Sequence, residues 1–222
     1  MSHDRNQATQ VHVVRHGEVN NPRGVLYGLL PGYHLSTTGQ AMATRLGEWF
    51  EGTELAQLRS SPLERAQQTM APIADSRPSL EVRLDDRLIE AENFLAGQVF
   101  GKHHRALFDP RNWHYFLNPL KPSWGEPYEQ VAARMLAVIN EVSDEIGPGA
   151  QAVLVSHQLP IWIARLASEG RRLPHDPRKR QCTLASVTTF RFAGGELTGV
   201  TYAEPARDLL REKASAAFSS GA

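Results

Sequence analysis

The sequence predicts an α/β protein built on a mostly parallel sheet. Two observations carry that reading. Short apolar runs alternate with longer segments of helical period, the pattern of strands joined by crossover helices. Two of those runs, Val11-His12-Val13-Val14 and Ala152-Val153-Leu154-Val155, are apolar almost throughout, as strands buried on both faces are.

In chain order, strands are expected at 10–15, 57–60, 81–84 and 151–156, and helices at 38–50, 62–76, 126–146 and 160–169. In the third helix Val131, Met135, Val138 and Val142 form one apolar stripe, which reads as core, and Gly147-Pro148-Gly149 ends it. A last strand pair, 186–192 and 196–202, flanks Ala193-Gly194-Gly195 and reads as a hairpin. Residues 214–222 are small and polar and are expected to fray. There are no internal repeats, and the whole of 1–222 is read as one domain.

Bulk properties exclude several classes. A chain of 222 residues buries enough surface for a full core without staples. Lys plus Arg and Asp plus Glu both number 24, so no polyanion or membrane partner is implied. Cys182 is the single cysteine, which rules out an internal disulfide and offers no zinc cluster. The histidines show no metal-ligand spacing, and no apolar run approaches a membrane span. The first ten residues are polar and do not read as a secretory signal, so a cytoplasmic location is expected.

The chemistry gathers at element ends. Arg15-His16-Gly17-Glu18 places a guanidinium and an imidazole where a buried strand meets its loop, and ligands of open α/β sheets bind beyond the carboxyl ends of the strands. A neutral imidazole is a nucleophile, and arginine grips phosphate with a planar fork of donors. His16 could equally be a hydrogen-bonded structural residue. Ser60-Ser61-Pro62-Leu63-Glu64-Arg65 reads as a helix start, with Ser61 as N-cap, Pro62 first in the helix and Glu64 completing a capping box. Arg65 would then lie in a first turn, where phosphate is welcome, unless it is a solvated surface charge. Val155-Ser156-His157 brings a second histidine to a strand end, either into a site or as a cap of the next helix.

These blocks resemble the histidine phosphatase superfamily, also called the phosphoglycerate mutase-like family. Arg15-His16-Gly17 is similar to its Arg-His-Gly signature. The run from Ser60 to Thr69 is similar to its Ser-Ser-Pro-x-x-Arg-Ala-x-Gln-Thr block, Leu88-Ile89-Glu90 to its Leu-x-Glu block, and Val155-Ser156-His157 to its Val-Ser-His block. The resemblance implies a three-layer α/β sandwich with helices on both faces and an inserted cap over the active site, at about 96–124 here. It implies that His16 is the nucleophile that becomes phosphohistidine and that Arg15, Arg65 and His157 form the phosphate pocket. Glu90 would be the general acid, with Glu92 as its rival, and no metal or organic cofactor is expected.

The chain departs from the family pattern after the signature. Val19 and Pro22 stand where Thr and Asn are usual, which leaves Asn21, or Asn20, to supply a phosphate contact. The usual Asp is absent before Leu35-Ser36-Thr37, and no aromatic-Glu-Gly turn follows Glu90. The 96–124 segment is rich in aromatics, with Lys102 and Arg105 positioned to meet a second anionic part of a substrate. Alternatively its aromatics bury one another and those cations are solvated. Leu26-Tyr27-Gly28-Leu29 replaces the Phe-Thr-Gly-Trp stretch of the mutases, and the inserted segment has no Arg-Arg pair. The sequence therefore points to a metabolite phosphomonoesterase, ahead of a cofactor-dependent phosphoglycerate mutase or a catalytically silent phospho-ligand binder. The expected partner is a small phosphate ester, not nucleic acid or membrane, and a homodimer stays open.

Overall fold

The computed structural model describes residues 8–92, 97 and 125–210. Apart from Gly97, the expected cap at 96–124, with Lys102 and Arg105, lies outside the described residues, as does the 214–222 tail. The described elements run β1 (Thr9–Arg15), α1 (Thr37–Trp49), β2 (Gln57–Ser60), α2 (Glu64–Asp75), β3 (Val82–Leu84), α3 (Tyr128–Ile146), β4 (Gln151–Ser156), α4 (Gln158–Ser168), β5 (Val187–Ala193) and β6 (Glu196–Ala203). Short 3₁₀ turns stand at Asp86–Leu88 and Pro177–Lys179.

The strands form one sheet in the order β3-β2-β4-β1-β5-β6. The first four run parallel, and β5 and β6 add an antiparallel edge. Alternate side chains of the central strands feed two cores. Val11, Val13, Ala152 and Leu154 pack with α3 and α4, while Val14, Leu58, Val153 and Val155 pack with α1 and α2. The protein is therefore a three-layer sandwich with helices on both faces. Each fully buried Val, Leu or Ile is worth about 1.5–3 kcal/mol relative to exposure, which is what holds the strand ends still. The β5–β6 hairpin turns at Gly194 and Gly195, whose φ values of 62° and 83° match the left-handed pair such a turn needs.

Two local features differ from the sequence reading. Helix α2 starts at Glu64 and not at Pro62, and its N-cap, Leu63, has no side-chain cap bond. Ser61 lies outside the helix, its Oγ 2.8 Å from His157 Nε2 with only a long 3.4 Å bond from Leu63 N, and the Glu64 carboxylate accepts from Gly32 N at 3.1 Å instead of closing a capping box. The fourth helix begins two residues before Pro160, which still falls in the first turn, where its missing N–H leaves no bond unmade.

Candidate active site

The site begins with strand register. Arg15 pairs with Ser156 across β1–β4, and Ser60 with Val155 across β2–β4. The ladder continues one residue past each strand: His16 N donates to Ser156 O at 3.1 Å, and Ser61 N to Val155 O at 2.9 Å. His16, Ser61 and His157 thus leave three adjacent strands at one level.

The loop after β1 is held against α1 by close backbone approach. A Cβ on Gly17 would lie 2.7 Å from Gly39 O, and one on Gly39 would lie 2.0 Å from Glu18 O, so neither position accepts a side chain without movement. Gly17 N donates to Thr69 Oγ1 at 3.0 Å, whose hydroxyl donates to Arg65 O at 2.7 Å. The loop bearing His16 and the helix bearing Arg65 are therefore tied together.

His16 is buried, and its Nδ1 lies 2.7 Å from Gly17 O. A carbonyl only accepts, so the proton sits on Nδ1 and the Nε2 lone pair is left for chemistry. Burial holds the imidazole well below its ordinary pKa, and the Arg15 and Arg65 guanidiniums push it further down. The ring is neutral at physiological pH.

Around it stand donors with nothing to bond. Arg15 gives one N–H to Cys182 O at 2.7 Å, and its buried Nε has no partner among the described residues. Arg65 is wholly buried; Nη2 donates to Gly28 O at 2.7 Å, while Nε and Nη1 are unpartnered. The Arg65 guanidinium also lies over the Tyr27 ring at 4.8 Å. His157 sits at the N-cap position of α4 without capping it, its ring 5.0 Å from that of His16. Its Nε2 is 2.8 Å from Ser61 Oγ, and its buried Nδ1 has no partner. Ser61 Oγ accepts from Leu63 N at 3.4 Å, and its own proton has no acceptor other than His157 Nε2 among the described residues, so we take Ser61 as the donor of that pair. That assigns the His157 proton to Nδ1, as a further free donor. Burial first, then the neighbouring His16, Arg65 and Arg15, keep His157 neutral. Unmade buried donors cost about 1–3 kcal/mol each, so a cluster of them is a strained arrangement that an anion would relieve.

Glu90 arrives on a separately clamped segment. Ser156 Oγ donates to Leu88 O at 2.7 Å, and Arg134 Nη1 donates to Arg87 O and Ile89 O at 2.6 and 2.8 Å. Arg134 is itself fixed by a bidentate pair with Glu126. One Glu90 oxygen accepts from Ala91 N at 2.9 Å. Burial raises the carboxyl above its ordinary pKa, against that bond and the pull of Arg65, Arg15 and Arg180. Such a group holds a proton longer than a solvated carboxylate.

Arg15, His16, Tyr27, Glu90, Gln158 and Arg180 help line a cavity of about 370 Å³, the scale of a small-molecule site. Among the described residues no group of three or more His, Cys, Asp or Glu is arranged to hold a metal ion.

Residues 11–205 match the model of the histidine phosphatase superfamily, branch 1. The chain belongs to this superfamily. Rv0525 of Mycobacterium tuberculosis is 50% identical over 200 residues, covering 90% of this chain and 98% of its own. Phosphoserine phosphatase 1 of Hydrogenobacter thermophilus is 31% identical over 155 residues, covering 67% and 71%. Among solved structures, Bacillus stearothermophilus YhfR superposes with a TM-score of 0.72 at 25% identity, covering 85% of this chain and 94% of that one. Superfamily membership and these relatives make the chain an enzyme of the phosphatase or mutase class. No helix among the described residues is long and apolar enough to cross a membrane.

Within this superfamily member the structure brings together His16, Arg15, Arg65, His157 and Glu90. It does not bring in Asn21. Both ends of that side-chain amide bond Val25, Nδ2 to its carbonyl at 2.8 Å and Oδ1 from its N–H at 3.0 Å, so the group closes its own loop, and Asn21 is not among the residues that border the cavity. Glu92 also borders the cavity but is exposed, and its main-chain carbonyl accepts from Glu126 N. Two residues escaped the sequence reading. Ser61 was legible only as a cap, and Arg180 sits in a loop with no periodicity to flag it; the Arg-Lys-Arg run ending at 180 was the available signal.

Proposed function

We propose that the protein is a phosphomonoesterase that works through a phosphohistidine at His16. The observation that supports this reading most is a neutral imidazole, its proton held by Gly17 O, facing unpartnered donors from Arg15, Arg65 and His157.

In this reading the phosphoryl oxygens of a small phosphate ester occupy the free donors. They spread over the Arg15 and Arg65 N–H groups and the His157 Nδ1–H, which stabilise the charge that develops on a transferring phosphoryl group. His16 Nε2 attacks phosphorus in line, the ester P–O bond breaks, and the leaving oxygen takes the Glu90 proton. The Glu90 carboxylate so formed then takes a proton from water, whose oxygen attacks the phosphohistidine. Inorganic phosphate leaves, and Glu90 is protonated again. Ser61 and Gly17 act as positioning residues, each fixing the tautomer of one imidazole.

Phosphate release from p-nitrophenyl phosphate and a panel of small phosphate esters tests the reading. A hydrolase releases phosphate from several. Interconversion of phosphoglycerates with little release would make the enzyme a mutase, and binding without turnover would make it a silent receptor; either result overturns the proposal.

A further inference from the structure

The donor cluster around His16 accounts for one end of the cavity. The cavity also holds a cation that this chemistry does not use. Arg180 borders the same space as Glu90 and Gln158, follows the Pro177–Lys179 turn, and is partly buried. Burial pulls its guanidinium below its ordinary pKa, while the nearby Tyr128 and Glu90 support its charge. No carboxylate forms a salt bridge with it among the described residues.

Its placement is built from the inside. His175 Nδ1 lies 2.6 Å from Leu173 O and must donate to it, so His175 Nε2 is an acceptor. Arg180 Nε donates to that lone pair at 2.8 Å. The His175 ring stacks on Tyr128 with centroids 5.5 Å apart and meets Trp162 edge-on at 6.0 Å, which leaves the imidazole little freedom. Arg180 Nη1 faces Gln158 Oε1 at 3.5 Å, a long bond that a better acceptor would replace, and the Tyr128 hydroxyl is a further hydrogen-bond partner of the guanidinium. Gln158 Nε2 and Arg15 Nη1 both donate to Cys182 O, at 3.3 and 2.7 Å, so the partner of Arg180 and the arginine beside His16 share one anchor. A partly buried cation with no salt-bridge partner among the described residues, held by a neutral histidine, is a site for an anion.

We propose that Arg180, positioned by His175, receives a carboxylate on the substrate, so that the enzyme prefers phosphomonoesters that carry a carboxylate beyond the phosphate. The planar fork matches a carboxylate, and Arg180 borders the same cavity as Arg15 and His16. This rests on the reading of the His16 end as the phosphate pocket and assigns one specificity contact of that site to Arg180.

Calorimetric binding to the His16→Ala variant tests it without turnover. The probes are 3-phosphoglycerate and glycerol 3-phosphate, which differ at the carboxylate and share the phosphate. In His16→Ala the carboxylate should tighten binding about tenfold or more, the scale of one charge-assisted pair. In His16→Ala/Arg180→Met that ratio should fall towards one, and His16→Ala/Arg180→Lys should recover part of it. Because both probes carry the phosphate, a general loosening of the site leaves the ratio unchanged. Equal affinity for the two probes in His16→Ala, or an unchanged ratio in the Arg180→Met background, overturns the proposal. Failure of the phosphate pocket reading shows separately, as no competition between either probe and inorganic phosphate.

Discussion

Replacing Arg65 with methionine should separate function from stability, with opposite consequences. The residue is wholly buried, yet of its three guanidinium nitrogens only Nη2 is bonded, to Gly28 O. Loss of that charge-assisted bond costs about 1.5–3 kcal/mol, and loss of the Tyr27 contact at 4.8 Å about 0.5–2 kcal/mol. Against this, the two unsatisfied donors cost about 1–3 kcal/mol each in the ligand-free protein. The terms nearly cancel, so Arg65→Met should unfold within about 1 kcal/mol of wild type. Activity has no such compensation. Loss of one preorganised donor costs about 3 kcal/mol at the transition state and loss of two costs more, so kcat/KM should fall about 10²–10⁴-fold. Arg59 supplies the control. It is 5% exposed, its Nη atoms pair with Asp85, Glu141 and Glu145 at 2.7–3.0 Å, and Nε bonds Gln57. Arg59→Met should lose about 2–4 kcal/mol of stability, because it removes three charge-assisted pairs at once and leaves Asp85, whose side chain is only 10% exposed, with Arg87 as its one cation among the described residues. Denaturant unfolding and steady-state kinetics on both variants decide. An Arg65→Met protein that loses several kcal/mol of stability, with activity falling only in proportion to the unfolded fraction, would make Arg65 a structural ion and refute the reasoning.

Further outcomes follow from the same geometry. Glu90→Gln should slow alkyl phosphates at least tenfold more than p-nitrophenyl phosphate, whose leaving group needs no proton, and Glu92→Gln should show no such dependence; kcat/KM across both substrate types checks it. Ser61→Ala frees the His157 tautomer and should lower kcat/KM about tenfold while weakening inorganic phosphate binding to a similar degree; an unchanged phosphate affinity would remove Ser61 from the site. Burial holds His12, His16, His157 and His175 below their ordinary pKa, so below about pH 7 the unfolded chain binds protons that the folded chain refuses, and stability should fall as pH falls. Glu90, raised by burial, acts in the opposite sense, but it is one group against four. Calorimetry near pH 6 in buffers of different ionisation heat should therefore show net proton uptake on unfolding, and net release would contradict the assigned histidine states.

The parts of the fold that were legible in the sequence are those set by local pattern. Val11 to Val14 and Ala152 to Val155 are apolar on both faces because both faces are covered, and this alone identified central strands and the residues at their ends. Ser61 shows where local pattern stops. Ser-Pro-Leu-Glu is a good helix start in isolation, but a partner 96 positions away, His157, takes the hydroxyl, and the helix begins later. Asn21 shows the same limit: its amide reaches forward four residues to Val25 and closes its own loop, which composition does not reveal. Arg180 depends on His175, Tyr128 and Trp162 packing from three segments, a relation with no sequence period at all.

The most direct test of the central claim is to trap the intermediate. Wild-type protein mixed with p-nitrophenyl phosphate and quenched in alkali within milliseconds should carry one phosphoryl group, stable to base and labile to acid, on the peptide containing His16. The His16→Ala variant should carry none under the same conditions and should release no phosphate. A phosphoryl group on any other residue, or unlabelled wild-type protein that turns over rapidly while the label is sought, would contradict the account.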